Sequence, residues 1–219
     1  MVEISTSVLS VEKEKAVQTF YNLEVAHTDY FHIDVMDGNF VEQDTTQKMR
    51  EYAETIKQIS NIPLDVHLMV QDVHSYVQIY SAIEPSIITF HLEALEGEKE
   101  IIHMIEEIKE KQIKVGISLK PNTPVEKIYP FLPYLHVCLV MTVEPGYGGQ
   151  QLIPETIQKI KKLKEYIEKN NLDTYLQADG GINLQTAELV RQAGCDILVA
   201  GSAIIGSESY QTTIQQLKQ

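Results

Sequence analysis

Arginine is almost missing from this chain. Only Arg50 and Arg191 occur in 219 residues, and acidic residues outnumber basic ones 31 to 18. With a formal net charge of −13 and no Lys/Arg cluster interleaved with aromatics, the sequence argues against a nucleic-acid partner. Any anion it binds must be held locally and at short range. Cysteine is equally scarce: Cys138 and Cys195 show no CxxC or metal-finger spacing. Each lies in or beside an apolar run and reads as a small buried hydrophobe. No apolar run nears the roughly 18 residues of a membrane span. The start, Met1-Val2-Glu3-Ile4-Ser5, lacks the basic-then-apolar order of a signal peptide. No linker, low-complexity stretch or repeat divides the chain. Hydrophobic residues at 43% and charged residues at 22% are ordinary for a globular protein with a substantial core. The expectation is one soluble, cytoplasmic domain spanning residues 1–219, with no membrane partner.

What is present is an alternation. Short β-rich runs occur at 4–9, 30–35, 63–69, 86–91, 113–119, 136–142, 173–178 and 196–200. Each precedes a segment with helical spacing of apolar residues, at 11–25, 47–59, 73–82, 98–111, 124–132, 153–169, 184–193 and 208–217. Ile101, Ile105 and Ile108, set among Glu106, Glu107 and Lys109, show the amphipathic stripe. Eight strand–helix pairs predict an α/β fold with a parallel sheet, and eight strands close well into a single (β/α)₈ barrel, the TIM-barrel arrangement. An open doubly wound sheet is the alternative, but no GxGxxG follows the first strand.

Barrel enzymes carry their chemistry where strands end and βα loops begin. Residues i and i+2 of a strand share a face. His32, Asp34 and Met36 therefore share one on the second strand, as do Asp65, His67 and Met69 on the third. The fourth strand ends in His91 and the seventh in Asp179-Gly180-Gly181. His32, Asp34, His67 and Asp179 are suitable divalent-metal ligands. A lone histidine on an apolar strand is usually a satisfied core or surface residue. Several ionisable groups at one end of several strands are costly to bury unpaired, and a shared cation resolves that cost. Either reading accounts for the residues taken alone. Asp65 lies a layer deeper and is placed to orient an imidazole. His27, His74, His103 and His136 read as surface residues, and Met36, Met69 and Met141 as core filler.

A second signal is Pro145-Gly146-Tyr147-Gly148-Gly149-Gln150 after the sixth strand, followed by the glycine-bearing ends Asp179-Gly180-Gly181 and Ala200-Gly201-Ser202. Glycines let main-chain N–H groups approach an anion, and barrels commonly hold phosphate at their last strands. These loops contain no Lys or Arg, so main-chain amides are expected to hold a phosphate there.

The stretches HIDVMDG at 32–38, LDVHLM at 64–69 and MTVEPGYGGQ at 141–150, in that order, resemble the ribulose-phosphate 3-epimerases. Ser7-Val8-Leu9-Ser10, Thr89-Phe90-His91-Leu92-Glu93, Asp179-Gly180-Gly181-Ile182 and Ala200-Gly201-Ser202 extend the likeness over almost the whole chain. The resemblance implies that His32, Asp34, His67 and Asp179 hold one divalent metal ion, foremost Zn²⁺, with Fe²⁺, Mn²⁺ or Co²⁺ as alternatives. It implies that Asp34 and Asp179 are the two acid–base residues. It further implies that Ser7, His67, Gly146, Tyr147, Gly148, Gly149, Gly180, Gly181, Gly201 and Ser202 contact the substrate. That substrate is a small phosphorylated ketose of the pentose phosphate pathway. No organic cofactor is expected, and the family implies a homo-oligomer.

One segment departs from the family. Where the pattern usually reads Pro-Asn-x-Thr-x-Gly, the chain has Glu42-Gln43-Asp44-Thr45-Thr46-Gln47. Tyr147 for the common Phe is milder, and Ala178 and Cys195 are packing changes. The leading expectation is conversion of D-ribulose 5-phosphate to D-xylulose 5-phosphate, with the same chemistry on D-allulose 6-phosphate as the alternative. A non-catalytic phosphosugar-binding barrel would not require two bases. A phosphosugar lyase or decarboxylase would want an Asp-x-Lys-x-x-Asp signature that Asp34-Val35-Met36-Asp37 lacks.

Overall fold

Runs rich in Val, Ile and Leu, four to seven residues long, form the strands of the computed structural model, which describes residues 2–219. Met1, the first residue of the expected 1–219 domain and of the start read for a signal peptide, lies outside the described residues. The strands are β1 (Glu3–Ser7), β2 (Tyr30–Met36), β3 (Leu64–Met69), β4 (Ile87–His91), β5 (Lys114–Leu119), β6 (Val137–Met141), β7 (Tyr175–Asp179) and β8 (Ile197–Ala200). They pair in parallel in chain order, and β8 returns to β1 to close the barrel. The helices are α1 (Ala16–Val25), α2 (Thr46–Ile59), α3 (Val73–Ser81), α4 (Glu98–Glu110), α5 (Thr156–Lys169), α6 (Ala187–Gln192), α7 (Ser202–Ile205) and α8 (Tyr210–Lys218). The fold is a (β/α)₈ TIM barrel. No helix among the described residues is long and apolar enough to cross a membrane.

The helix expected over 124–132 does not form. Two 3₁₀ turns, Val125–Lys127 and Leu132–Tyr134, take its place between β5 and β6. Pro121, Pro124, Pro130 and Pro133 punctuate this segment. Each proline removes an N–H and crowds the carbonyl four residues back, so only short turns fit between them. Val125, Ile128, Phe131 and Leu132 are nevertheless buried against the barrel. Their helix-like spacing reported burial rather than helix.

Alternation along each strand sorts the core into two parts. Outward residues such as Ile33, Val66, Phe90, Ile117, Val140 and Leu198 pack beneath the helices, whose apolar stripes meet them. On α4 that stripe is Ile101, Met104, Ile105 and Ile108. Inside the barrel, Ile87, Val137, Leu139, Ile197 and Val199 form a smaller apolar cluster. Many of the other inward positions are polar and buried, including Ser5, His32, Asp65, His67, Thr89, Ser118 and Gln177. Gly116 is small because Thr89 occupies its space: a Cβ there would lie 2.2 Å from Thr89 Oγ1. These polar residues come from β1 to β5 and β7, and they lead to the barrel's C-terminal end.

Candidate metal and active site

Strand register assembles the centre. The β2–β3 pairing sets His32 beside Asp65, Asp34 beside His67 and Met36 beside Met69, and β6–β7 sets Met141 beside Asp179. His32, Asp34, His67 and Asp179 each offer one ligand atom, and these atoms lie within 4.8 Å of one another. Asp34 Oδ1 is 3.3 Å from both His32 Nε2 and His67 Nδ1. Asp179 Oδ2 is 3.9 Å from His32 Nε2 and 3.6 Å from His67 Nδ1. A tetrahedral ion with ligands about 2.1 Å away separates them by about 3.4 Å. The geometry and the donor set therefore fit a divalent cation, and this cluster could hold a metal ion.

Two further observations support that fit. His32 Nε2 is buried without a hydrogen-bond partner among the described residues, which is costly unless something fills the space. In the metal-free molecule, protons supply the positive charge that the carboxylates demand. Burial opposes a charged His32, yet Asp34 and Asp65 outweigh it and raise its pKa well above the usual value. His67 is likewise opposed by burial and raised by Asp179 and Asp34. Burial would raise Asp34, but His32 and His67 hold it ionised, well below the carboxylate range.

A second ring of groups fixes both imidazoles. His32 Nδ1 lies 2.7 Å from Asp65 Oδ2, which also accepts from Ser5 Oγ at 2.8 Å and Gln177 Nε2 at 2.6 Å. An ionised carboxylate only accepts, so His32 carries its proton on Nδ1 and presents Nε2 to the site. His67 is turned the other way. Its Nε2 is 2.9 Å from His91 Nε2, and His91 Nδ1 is 3.2 Å from Glu93 Oε2. Glu93 is anchored by the Lys120 N–H at 2.9 Å and by the Thr123 hydroxyl. Burial opposes charge on Glu93, but its bonds to His91, Thr123 and Lys120 hold its pKa at about 2. Burial pushes His91 down to about 4 against the pull of Glu93, so it is neutral. With Glu93 accepting from His91 Nδ1–H, His91 Nε2 accepts from His67 Nε2–H. His67 Nδ1 then faces the carboxylates, protonated in the metal-free molecule and able to offer its lone pair to a cation once that proton is displaced.

Above this centre opens a cavity of about 710 Å³. Ser7, Asp34, Gly146, Tyr147, Gly148, Gly149, Asp179, Gly180, Gly181, Gly201 and Ser202 all line it, joined by Met36, Met69 and Met141. The methionines read as core filler are buried, but they also form part of the cavity wall. Both imidazoles are fully buried, while Asp34 and Asp179 reach the cavity. Ser7 Oγ donates to Asp34 Oδ2 at 2.6 Å, fixing that carboxylate from the β1 side. Gly180 (φ +119°) and Gly181 (φ +66°) are required by the backbone itself: a Cβ would lie 2.3 Å from Val143 Cγ2 or 2.4 Å from Leu152 N. Of the histidines expected at the surface, His27, His74 and His103 are exposed, while His136 is half-buried.

Gln43, Lys48, Glu144 and Asn183 also line the cavity and escaped the sequence reading. Gln43 lies within the atypical 42–47 segment and Lys48 directly follows it, and that segment alone could have signalled them. The two departures at the mouth meet each other: Tyr147 OH donates to Glu42 Oε2 at 2.6 Å.

Comparison with known proteins adds to this geometry. The model of the ribulose-phosphate 3 epimerase family matches residues 3–205. Ribulose-phosphate 3-epimerase of Methanocaldococcus jannaschii is 39% identical over all of this chain and 91% of its own length. The Bacillus subtilis protein of the same name is 35% identical, covering 100% of this chain and 99% of its own. Among solved structures, 3-hexulose-6-phosphate synthase from Salmonella typhimurium superposes with a TM-score of 0.71 at 16% identity, covering 100% and 97% of the two chains, a likeness of fold.

Proposed function

Because the chain belongs to the ribulose-phosphate 3-epimerase family of isomerases, we propose that it converts D-ribulose 5-phosphate to D-xylulose 5-phosphate by moving a proton at carbon 3. The observation that carries this reading is the convergence of Asp34 and Asp179 on one cavity from β2 and β7. Those strands are separated by β1 and β8 around the closed barrel, so the carboxylates approach a bound ketose from different sides.

The chemistry follows from that placement. One carboxylate takes the carbon 3 proton, and the C–H electron pair forms the carbon 2–carbon 3 double bond while charge moves to the carbonyl oxygen. The other carboxylate, protonated, returns a proton to the opposite face, which inverts carbon 3. Roles exchange when the reaction runs backward. His32, Asp34, His67 and Asp179 would hold the divalent cation, Zn²⁺ foremost with Fe²⁺, Mn²⁺ and Co²⁺ also suited, and it would offset negative charge developing on the substrate oxygens. Ser7 fixes the Asp34 carboxylate, and Met36, Met69 and Met141 give the reacting carbons an apolar, water-poor wall. Positioned acid–base groups supply about 10²–10⁴-fold, and electrostatic stabilisation and positioning supply much of the remainder. At the other end of the substrate, the 146–149 loop, Gly180, Gly181, Gly201 and Ser202 bring main-chain groups to the phosphate, as the last strands of barrels commonly do.

The 42–47 segment favours a second reading of the same chemistry. Gln43 stands in the cavity wall where the family pattern has the shorter Asn, and Glu42 ties down Tyr147 at the mouth, so this wall bears on which ketose phosphate fits, with D-allulose 6-phosphate as the second candidate. Comparing kcat/KM for the two compounds with the metal-loaded protein decides between them. Turnover of neither would overturn both readings.

A further inference from the structure

Among the described residues, the side chains lining the cavity include the carboxylates Asp34, Asp179 and Glu144 but a single cation, Lys48. It comes from the first turn of α2, not from the glycine loops. Its Nζ donates to the Leu9 carbonyl at 2.7 Å and stands 5.3 Å from the Tyr52 ring centroid. Leu9 borders the β6 loop, since a Cβ on Gly148 would lie 3.7 Å from Leu9 Cδ2. Two residues earlier, Ser7 borders the β8 loop, 3.2 Å from where a Gly201 Cβ would lie. Lys48 therefore enters beside the β1 loop, which touches both glycine loops.

Among the described residues its charge has no counter-ion. Burial lowers the Lys48 pKa, and no carboxylate acts against that shift. In a chain with 31 acidic and 18 basic residues, a half-buried lysine without a carboxylate partner is conspicuous. An ammonium group has three donors, and the Leu9 carbonyl engages one. A phosphate dianion entering a protein of net charge −13 meets long-range repulsion. Main-chain amides offset that only with partial charges, whereas an ammonium at short range brings a full one.

We propose that Lys48 is the charge partner of the substrate phosphate and the residue that restricts the cavity to phosphorylated ketoses. The identity of the substrate rests on the epimerase reading; the phosphate contact does not. The test combines calorimetric titration with inorganic phosphate and steady-state kinetics on D-ribulose 5-phosphate, using metal-loaded wild type, Lys48→Met and Lys48→Arg. In Lys48→Met, phosphate Kd and substrate KM rise about tenfold or more, as losing one charge-assisted hydrogen bond implies, while kcat stays within a few fold. Lys48→Arg restores most of the affinity. If Lys48→Met melts early, Lys48→Gln keeps a donor for the Leu9 carbonyl without the charge and serves the same comparison. Phosphate affinity within twofold of wild type in the uncharged variants would overturn the proposal, leaving Lys48 as a tie between α2 and the β1 loop. A wild type inactive on ketose phosphates whose phosphate binding still depends on Lys48 would instead sink the epimerase reading and keep this one.

Discussion

Replacing Asp65 with asparagine tests whether the groups beneath the His32, Asp34, His67 and Asp179 cluster set its affinity for a divalent cation. Asp65 is fully buried, and its Oδ2 accepts from His32, Ser5 and Gln177 at 2.7, 2.8 and 2.6 Å. Burial works against its charge, yet His32, Gln177 and Ser5 keep its pKa low, so the carboxylate is ionised at neutral pH. Asparagine keeps the shape and the accepting oxygen but removes the charge. A hydrogen bond to a charged group is worth about 1.5–3 kcal/mol and a neutral one about 1 kcal/mol. The bond orienting His32 therefore weakens by about 0.5–2 kcal/mol. Replacing the partner of a metal-bound imidazole generally lowers metal affinity about 10–100-fold, or about 1.4–2.8 kcal/mol, which overlaps that figure. Competition with protons modulates the loss. Without Asp65 the His32 pKa falls, so the variant releases less proton on binding metal, and its deficit grows as pH rises. Competition against a calibrated chelator at several pH values reads this, with circular dichroism as the check on folding. An Asp65→Asn protein that folds and binds Zn²⁺ within twofold of wild type across that range would refute the reasoning.

Three further outcomes follow from the same geometry. Asp34→Asn and Asp179→Asn each lower epimerisation about 10²–10⁴-fold, the range of a lost general acid or base; retention of most activity by either would remove that residue from the proton path. The raised His32 and His67 values imply that their stabilisation of the metal-free protein is fully present below the ordinary histidine pKa of 6.5 and is lost as pH rises through the higher folded values. Metal binding near pH 6 therefore releases protons, so calorimetric heats depend on the buffer and affinity climbs with pH; flat affinity between about pH 6 and pH 8 contradicts this. Gly180→Ala puts a Cβ 2.3 Å from Val143 Cγ2 at φ +119°, which destabilises the fold by about 2 kcal/mol or more. An unchanged denaturant midpoint would show that the backbone there relaxes freely.

Most of the barrel was legible because strand and helix burial leave different periods in the sequence. The 124–132 segment misled for a physical reason: Val125, Ile128 and Leu132 face the barrel at helical intervals, while Pro130 forbids the hydrogen bonds a helix needs. Apolar spacing reports which side is covered, and proline placement reports what the backbone can do. Of the four clustered residues, the two-residue strand period put His32 with Asp34 and Asp65 with His67 on shared faces, the strand end Asp179-Gly180-Gly181 offered the fourth, and the family resemblance suggested a shared cation. What stayed hidden depends on closure of the fold. Lys48 meets Leu9 across 39 residues and Tyr147 meets Glu42 across 105, and no local spacing encodes either contact. The turn of His67 toward His91 and Glu93 was hidden too, since strand pairing shows which side chains are neighbours but not which ring nitrogen faces which.

If Asp34 and Asp179 carry a proton to and from carbon 3, reaction in D₂O labels that carbon. The metal-loaded protein is incubated in D₂O with D-ribulose 5-phosphate while carbon 3 is followed by NMR. The expected product is D-xylulose 5-phosphate carrying deuterium at carbon 3, with the signal lost in Asp34→Asn and in Asp179→Asn. Product without deuterium, or label entering undiminished in both variants, would contradict that role.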